Sequence, residues 1–496
     1  MSAQAQTIEA IAIEKERQRI RSALPSWSWS SADVKLDGWR GGQTLNAVAA
    51  PAVTLRPSTG EDVAAALQWA VEHRIPLSVF SSGAGPHERG MTAQQSTALL
   101  DLSAMNRIIN VDARDAMVLI EPGVTYAALD TALLPSGLRS FRPLLPRTNK
   151  SVIAAMLERE PFLNVNEQWD VLDPFGSVEL LFGTGERFRT GTAARSGTVE
   201  QHWRAGLRFL TAFGPGTTDF LRVLQGAQGT LGIVLWAAMM CERIPKVEQA
   251  FFIGSDAPEA LAELLSWVCW RRLGNAAFIG NAVQMATALR KDSNRINELA
   301  GRLPSWLAWV RIGHGGSEFP QEQFDLELSQ LQEQATRLGL RVETQLAGVS
   351  ADELSRHQAQ PVNDVYQDRL HGAHVSVFCL HQFDGITGIV QAARELLAAQ
   401  GWPESKVAIY VQPRIRGRNL HIEIMLPHTP AEAARAQSIG RLLAKTLMQQ
   451  GGFFSRPYGE WASIAYADNL SLLPYLQQTK ALFDPERVLN PGRLCY

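Results

Sequence analysis

Apolar residues in the first 245 positions fall into short runs. Segments 53–57, 77–80, 98–102, 107–111 and 117–121 are rich in Val, Leu and Ile and are bounded by turn residues, which predicts short strands, with 77–80 buried. Between the first two runs, Ser58-Thr59-Gly60-Glu61-Asp62 offers a polar cap and an acidic first turn, and 63–73 carries apolar residues at helical spacing. Residues 53–90 therefore read as strand, helix, strand and loop. Pro122-Gly123 sets a turn, and Thr125 caps a predicted helix over 126–134. Segments 178–182 and 187–190 flank Gly183-Thr184-Gly185-Glu186 as a hairpin, and 225–234 is a Gly-rich turn feeding a strand. Residues 1–24 read as a surface helix.

The pattern changes after Pro245. Longer helical stretches at 257–272, 321–338, 385–400 and 429–449 alternate with strands at 306–312, 374–378, 407–411 and 420–425, and the tail at 465–483 is helical again. The expected fold class is α+β, with 247–455 forming a domain of its own.

Composition narrows the function. A chain of 496 residues is long enough for two or three domains, and 46% hydrophobic with 19% charged residues describes a globular protein. A formal net charge of −2 points to neither nucleic acid nor an anionic membrane surface. The 4 cysteines include no C-x-x-C pair, so no disulfide framework is expected. The first 24 residues lack the apolar core of a signal peptide, and no run of 18 apolar residues occurs; the expected location is the cytoplasm.

The stretch with the clearest chemistry follows the strand at 77–80. Ser81-Ser82-Gly83-Ala84-Gly85 has little side chain, so consecutive backbone N–H groups can line a concave receptor for an anion such as a pyrophosphate. On that stretch alone an ordinary Gly-rich turn is the better reading. Its neighbours carry a resemblance. PLSVFSSGAGPHERG, ALLDLSAMNRIINVD, VLIEPGVTY, SVELLFGTGERFRTG, QGAQGTLGIV and FDPERVLNPGRL, in that order, resemble the vanillyl-alcohol oxidase / p-cresol methylhydroxylase superfamily of FAD enzymes, most closely its branch that oxidises para-substituted phenols.

The resemblance implies a two-segment FAD-binding domain, 1–245 and 456–496, with a cap over the isoalloxazine at 246–455. It implies that Ser81, Ser82, Gly83, Ala84, Gly85, Pro86 and His87 hold the pyrophosphate, and that Pro122, Gly123, Ser151, Gly229, Gly232, Ile233 and Asn490 line the rest of the cofactor. His374 falls where relatives tether FAD covalently; an ordinary strand histidine is the other reading. Glu167 falls where the phenol branch has an acidic residue near flavin N5, and is the expected base.

The departures are informative. Thr148–Ala155 replaces a Gly-rich segment of the relatives, so side chains there would crowd the cofactor, with Lys150 as a charge for phosphate. Of the two tyrosines and one arginine that bind phenolate in the phenol branch, only Arg456 remains; Glu88 and Ser455 take the tyrosine positions. Arg456 reads as a substrate anchor or as the ion-pair partner of Glu88. Gln412 and Arg418 stand where the hydroxy-acid branch has metal-site residues, so His421 is left without a divalent site and no metal is expected. Arg414, Arg416 and Arg418 offer charge to a carboxylate substrate.

Three functions follow. The first is an FAD-dependent oxidoreductase that takes hydride from a benzylic or hydroxyl-bearing carbon, with O2 or a cytochrome as acceptor. The second is a 2-hydroxy-acid dehydrogenase of the same superfamily. The third is a catalytically silent homologue acting as a scaffold subunit. The resemblance also implies a homo- or hetero-oligomer.

Overall fold

The computed structural model describes the chain outside 1–2, 33–50, 83–95, 169, 171–172, 212, 215–218, 317 and 468–469. Three sheets organise it. The first has the order Ser30–Ser31, Val53–Leu55, Ala98–Asp101, Leu77–Phe80, and its last three strands run parallel. Helix Gly60–Glu72 makes the crossover from Val53–Leu55 to Leu77–Phe80. Thr59 and Asp62 close a capping box at its start, which satisfies backbone N–H groups that the helix itself leaves unpaired. Its face of Val63, Ala66, Leu67, Trp69 and Ala70 is buried.

The second sheet is antiparallel, in the order Ile108–Asp112, Met117–Ile120, Gly232–Met240, Phe175–Phe182, Arg187–Arg189. The predicted hairpin is present, with Leu181 opposite Arg187. The end of the chain returns to this region. Leu77 N donates to Val488 O at 2.7 Å, and Asn490 N donates to Leu77 O at 2.8 Å. Lys480, 1% exposed, donates to Thr230 O at 2.6 Å, to Leu489 O at 3.0 Å and to the Asp484 carboxylate.

The third sheet has seven strands, all antiparallel, in the order Val342–Glu343, Val247–Ser255, Trp306–His314, Ala276–Asn281, Ala408–Arg414, Asn419–His428, Ala373–His381. Helices Pro258–Arg271, Pro320–Arg337, Ile386–Ala399 and Ala433–Gln449 cover one face with Leu264, Phe324, Ile389 and Leu443 over Val310, Val377, Ile409 and Ile422. The other face carries Phe278, Trp309, Tyr410 and Met425 packed with Leu144, Leu145 and Leu163 of the N-terminal half. Alternation along the strands also places His374, Ser376, Gln412, Arg414, His421 and Glu423 on that inner face.

The sequence pattern misses strands Val247–Ser255 and Ala276–Asn281 and helices Ala282–Leu289, Ser293–Ala300 and Ala351–Ala359. The tail forms two helices, Glu460–Ala467 and Leu473–Phe483. No helix among the described residues is long and apolar enough to cross a membrane.

Candidate functional site

Two clefts adjoin at Lys150. The first, about 910 Å³, is lined by Ser81, Ser82, Pro122, Gly229, Gly232, Ile233 and Asn490, all expected cofactor contacts. Hydrogen bonds knit its walls. Ser151 N donates to Ser82 Oγ at 3.0 Å, and Ser151 Oγ donates to Pro122 O at 2.6 Å and caps helix Val152–Leu157. Asn490 joins strand Leu77–Phe80 to the Gly-rich turn at 225–234: its Oδ1 accepts from Val79 N at 2.8 Å, and its Nδ2 donates to Gln228 O at 2.8 Å. Gly229 has φ +72°, and a Cβ there would sit 2.4 Å from Asn490 Nδ2, so only glycine fits. Gly123 lies beneath this wall, where a Cβ would come within 2.7 Å of the Met105 and Ser103 carbonyls.

Serines and glycines of two chain turns thus stand beside apolar side chains such as Phe80, Leu102, Leu157 and Leu231, with Asn490 between them, which fits a dinucleotide laid partly against main chain. Gly83, Ala84, Gly85, Pro86, His87 and Glu88 lie outside the described residues. The side chains of Ile153 and Ala154 line the cleft without filling it. Lys150 is not free for a phosphate: its Nζ meets Glu158 at 2.8 Å and Glu160 at 2.9 Å. Burial pushes its ammonium down, but the two glutamates outweigh this and hold it above its ordinary value.

The second cleft, about 720 Å³, lies under the inner face of the seven-stranded sheet. Pro143, Leu144, Leu145, Pro146, Pro161 and Val365 make its apolar wall, and Glu160, Tyr366, Tyr410, Glu423 and Arg456 its polar one. Arg456 is 3% exposed; its Nη1 donates to Glu158 O at 2.8 Å, and its guanidinium lies 4.3 Å above the Phe378 ring. Glu423 accepts from Ser376 Oγ, and His421 Nε2 is 3.3 Å from its other oxygen. Burial, with Arg456 and Arg414 opposing Glu423, pulls the imidazole of His421 down to about 4. Tyr410 donates to Gln412 Oε1, and Gln412 donates to Phe162 O.

The other expected site residues lie off these walls. Glu167 ends the short turn Val165–Glu167 with an exposed side chain. Crowding by protein on one side, and then repulsion from Glu242, push its carboxyl up against the pull of Arg416. His374 is 1% exposed on strand Ala373–His381, with Nδ1 2.7 Å from Asp368 Oδ1 and a buried Nε2 that has no hydrogen-bond partner among the described residues. Neither cleft is lined by His374. Sequence reasoning missed Tyr366, Tyr410 and Glu423; the one available signal was Tyr410 and Glu423 at alternating positions of predicted strands.

Comparisons with known proteins agree with this geometry. Residues 51–190 match the FAD binding domain family. The chain is 25% identical over 252 residues to the 4-cresol dehydrogenase [hydroxylating] flavoprotein subunit of Pseudomonas putida, covering 49% of this chain and 44% of that protein. It is 25% identical over 200 residues to the mitochondrial D-lactate dehydrogenase [cytochrome] of Arabidopsis thaliana, covering 40% of this chain and 32% of that one. The matched stretches span less than half of either relative. The fold is that of p-cresol methylhydroxylase, solved with substrate bound, at a TM-score of 0.79 and 17% identity over 97% of this chain and 96% of that one.

Proposed function

The chain belongs to the vanillyl-alcohol oxidase / p-cresol methylhydroxylase superfamily of FAD-linked oxidases, and from that premise we propose that it oxidises a benzylic or hydroxyl-bearing carbon of a small molecule held in the second cleft. The protein is an FAD-dependent oxidoreductase. FAD, when bound, accepts hydride at N5, so the chain's own task is to orient the substrate and move its proton. The observation that carries the reading is that the cleft built for the cofactor continues at Lys150 into one walled by Arg456, Glu423 and two tyrosines.

In this reading Ser82, Pro122, Gly229 and Asn490 hold FAD in the first cleft. Arg456, locked by Glu158 O and by Phe378, anchors the electron-rich end of the substrate. Of the carboxylates weighed as base, Glu167 is exposed and off both walls, whereas Glu423 lines the cleft with His421 and Ser376 fixing its orientation. We therefore place the proton acceptor at Glu423. Either O2 or a cytochrome serves as acceptor of the electrons, as one subunit of an oligomer.

The test is anaerobic bleaching of the purified yellow protein with para-substituted phenols and benzylic alcohols. Arg456→Ala is expected to lower kcat/KM about 10- to 150-fold, the loss of one charge-assisted hydrogen bond, with Arg456→Lys recovering part of it. Unchanged kinetics would remove the anchor role. A protein that stays colourless with added FAD would instead favour the silent scaffold subunit.

A further inference from the structure

Helices Pro258–Arg271, Pro320–Arg337 and Ile386–Ala399 pack on the face of the seven-stranded sheet turned away from the second cleft. Their outer side is not uniformly polar. Along helix Pro258–Arg271, Glu259, Glu263, Trp267 and Trp270 recur at helical spacing and share one stripe. Trp270 is 76% exposed. An indole left in water keeps a large apolar area unburied, and tryptophan is among the residues that carry most of the energy where proteins meet.

Both tryptophans border two hollows. The larger, about 1010 Å³, also takes in Phe383, and its charged residues are Glu259, Glu263 and Asp384, with no cation among its lining. These three carboxylates make no hydrogen bond or ion pair among the described residues. The smaller, about 600 Å³, carries Arg271 and Arg337, the latter 2.5 Å from Glu333. More positive charge lies at the same end of the helix. Arg272 caps it, and Arg416 is near enough for the two guanidiniums to repel. Gly417, between Arg416 and Arg418, packs on the helix so closely that a Cβ there would lie 2.5 Å from the Cys269 Cβ. The stripe is therefore acidic at its start, then aromatic, then basic.

That order selects the partner. A two-fold axis across the stripe lays two copies of helix Pro258–Arg271 antiparallel, so the acidic end of each faces the basic end of the other with the tryptophans between. A two-fold contact requires a patch complementary to itself, and this patch carries both signs in the order that such pairing needs. A different protein would need only one sign to face it.

We propose that this face is a dimer interface, in which a second copy of this chain seats its Arg271 end in the hollow of Glu259, Glu263 and Asp384 while Trp267 and Trp270 of both copies become buried. The indoles supply most of the affinity, and the charges fix the antiparallel register.

Sedimentation velocity of the full chain at micromolar concentration tests this. The parent is expected to be a dimer, and Trp270→Glu to weaken dimerisation about 30-fold or more, the loss of an interface anchor. Glu259→Arg/Glu263→Arg leaves the stripe mainly positive, and Arg271→Glu/Arg337→Glu leaves it mainly negative, so each variant alone is expected to be monomeric. Mixed in equal amounts, the two are expected to form a heterodimer, because each then meets the opposite sign at both ends. The mixture also separates a lost interface from misfolding, since a misfolded variant gains no partner. None of the substituted residues lines either cleft. A monomeric parent would overturn the proposal. So would an assembly that Trp270→Glu leaves intact, which would place the contact elsewhere. Variants that stay monomeric when mixed would also overturn it, as expected of a face that receives a different protein.

Discussion

Single residues carry the chemistry, and burial sets their state. His421 is 1% exposed and its imidazole is pulled to about 4, well below the ordinary value of about 6.5. The folded protein therefore disfavours the charged ring. Its contribution to stability is full above the unfolded value and is lost as pH falls through about 4, amounting to about 3 kcal/mol. Glu423, Arg456 and Arg414 are the charges acting on it. Urea midpoints measured from neutral pH to 4 should fall less steeply for His421→Gln than for the parent; parallel curves would remove His421 from the acid response. At the same scale, Glu423→Gln should lower kcat about 10²- to 10⁴-fold, as expected for loss of a general base, while Glu167→Gln changes it little. The opposite ranking would return the base to Glu167. The position of Glu423 in the cleft was not legible, because a glutamate at one position of an alternating strand gives no sign of what lies across from it. Arg456 and His374 were legible only as motif positions. Their partners, Glu158 O, Phe378 and Asp368, come from other elements.

At the scale of elements, strands buried on both faces were the easiest to read. Leu77–Phe80 and Ala98–Asp101 are near-continuous apolar runs because they belong to a parallel sheet buried on both faces. Val247–Ser255 escaped notice because Glu248 and Gln249 interrupt its apolar face, and Ala276–Asn281 because Ala and Gly carry weak strand preference. The segment 148–155 looked too bulky for a cofactor wall. The structure turns it into the cap of helix Val152–Leu157, with Lys150 neutralised inside the protein. The C-terminal helix Leu473–Phe483 is pinned by Lys480, whose partners Thr230 O, Asp484 and Leu489 O surround it. Lys480→Met should cost about 3–5 kcal/mol, since it leaves the fully buried Asp484 unpaired. Chemical unfolding checks this, and Lys480→Met/Asp484→Asn should recover part of the loss. A cost below about 1 kcal/mol would mean the pair does not hold the tail in place.

At the scale of the whole molecule, the site exists because distant segments meet. The first cleft joins residues near 80, 122, 229 and 490, and the second joins 143–147, 364–367, 410, 423 and 456. His374 sits on strand Ala373–His381, oriented by Asp368, and its Nε2 has no hydrogen-bond partner among the described residues. A covalent tether at that nitrogen is one proposal, and ordinary strand packing is the other. Acid precipitation should leave the yellow colour in the pellet of the parent protein and release it to the supernatant for His374→Asn; colour released from the parent would make His374 an ordinary strand residue.

The sequence by itself determined the order of elements in the N-terminal half, the Gly-rich turn at 225–234 and a family resemblance, because these depend on local periodicity, on glycine's access to positive φ and on short motifs in a set order. Only the tertiary structure decided which of the charged residues remain available. Lys150 looked like a phosphate ligand and is neutralised, whereas Arg414, read as a charge for a carboxylate, is buried with no hydrogen bond or ion pair among the described residues. Charge and burial are properties of the surroundings, and those surroundings are assembled from residues hundreds of positions apart, which no local pattern records.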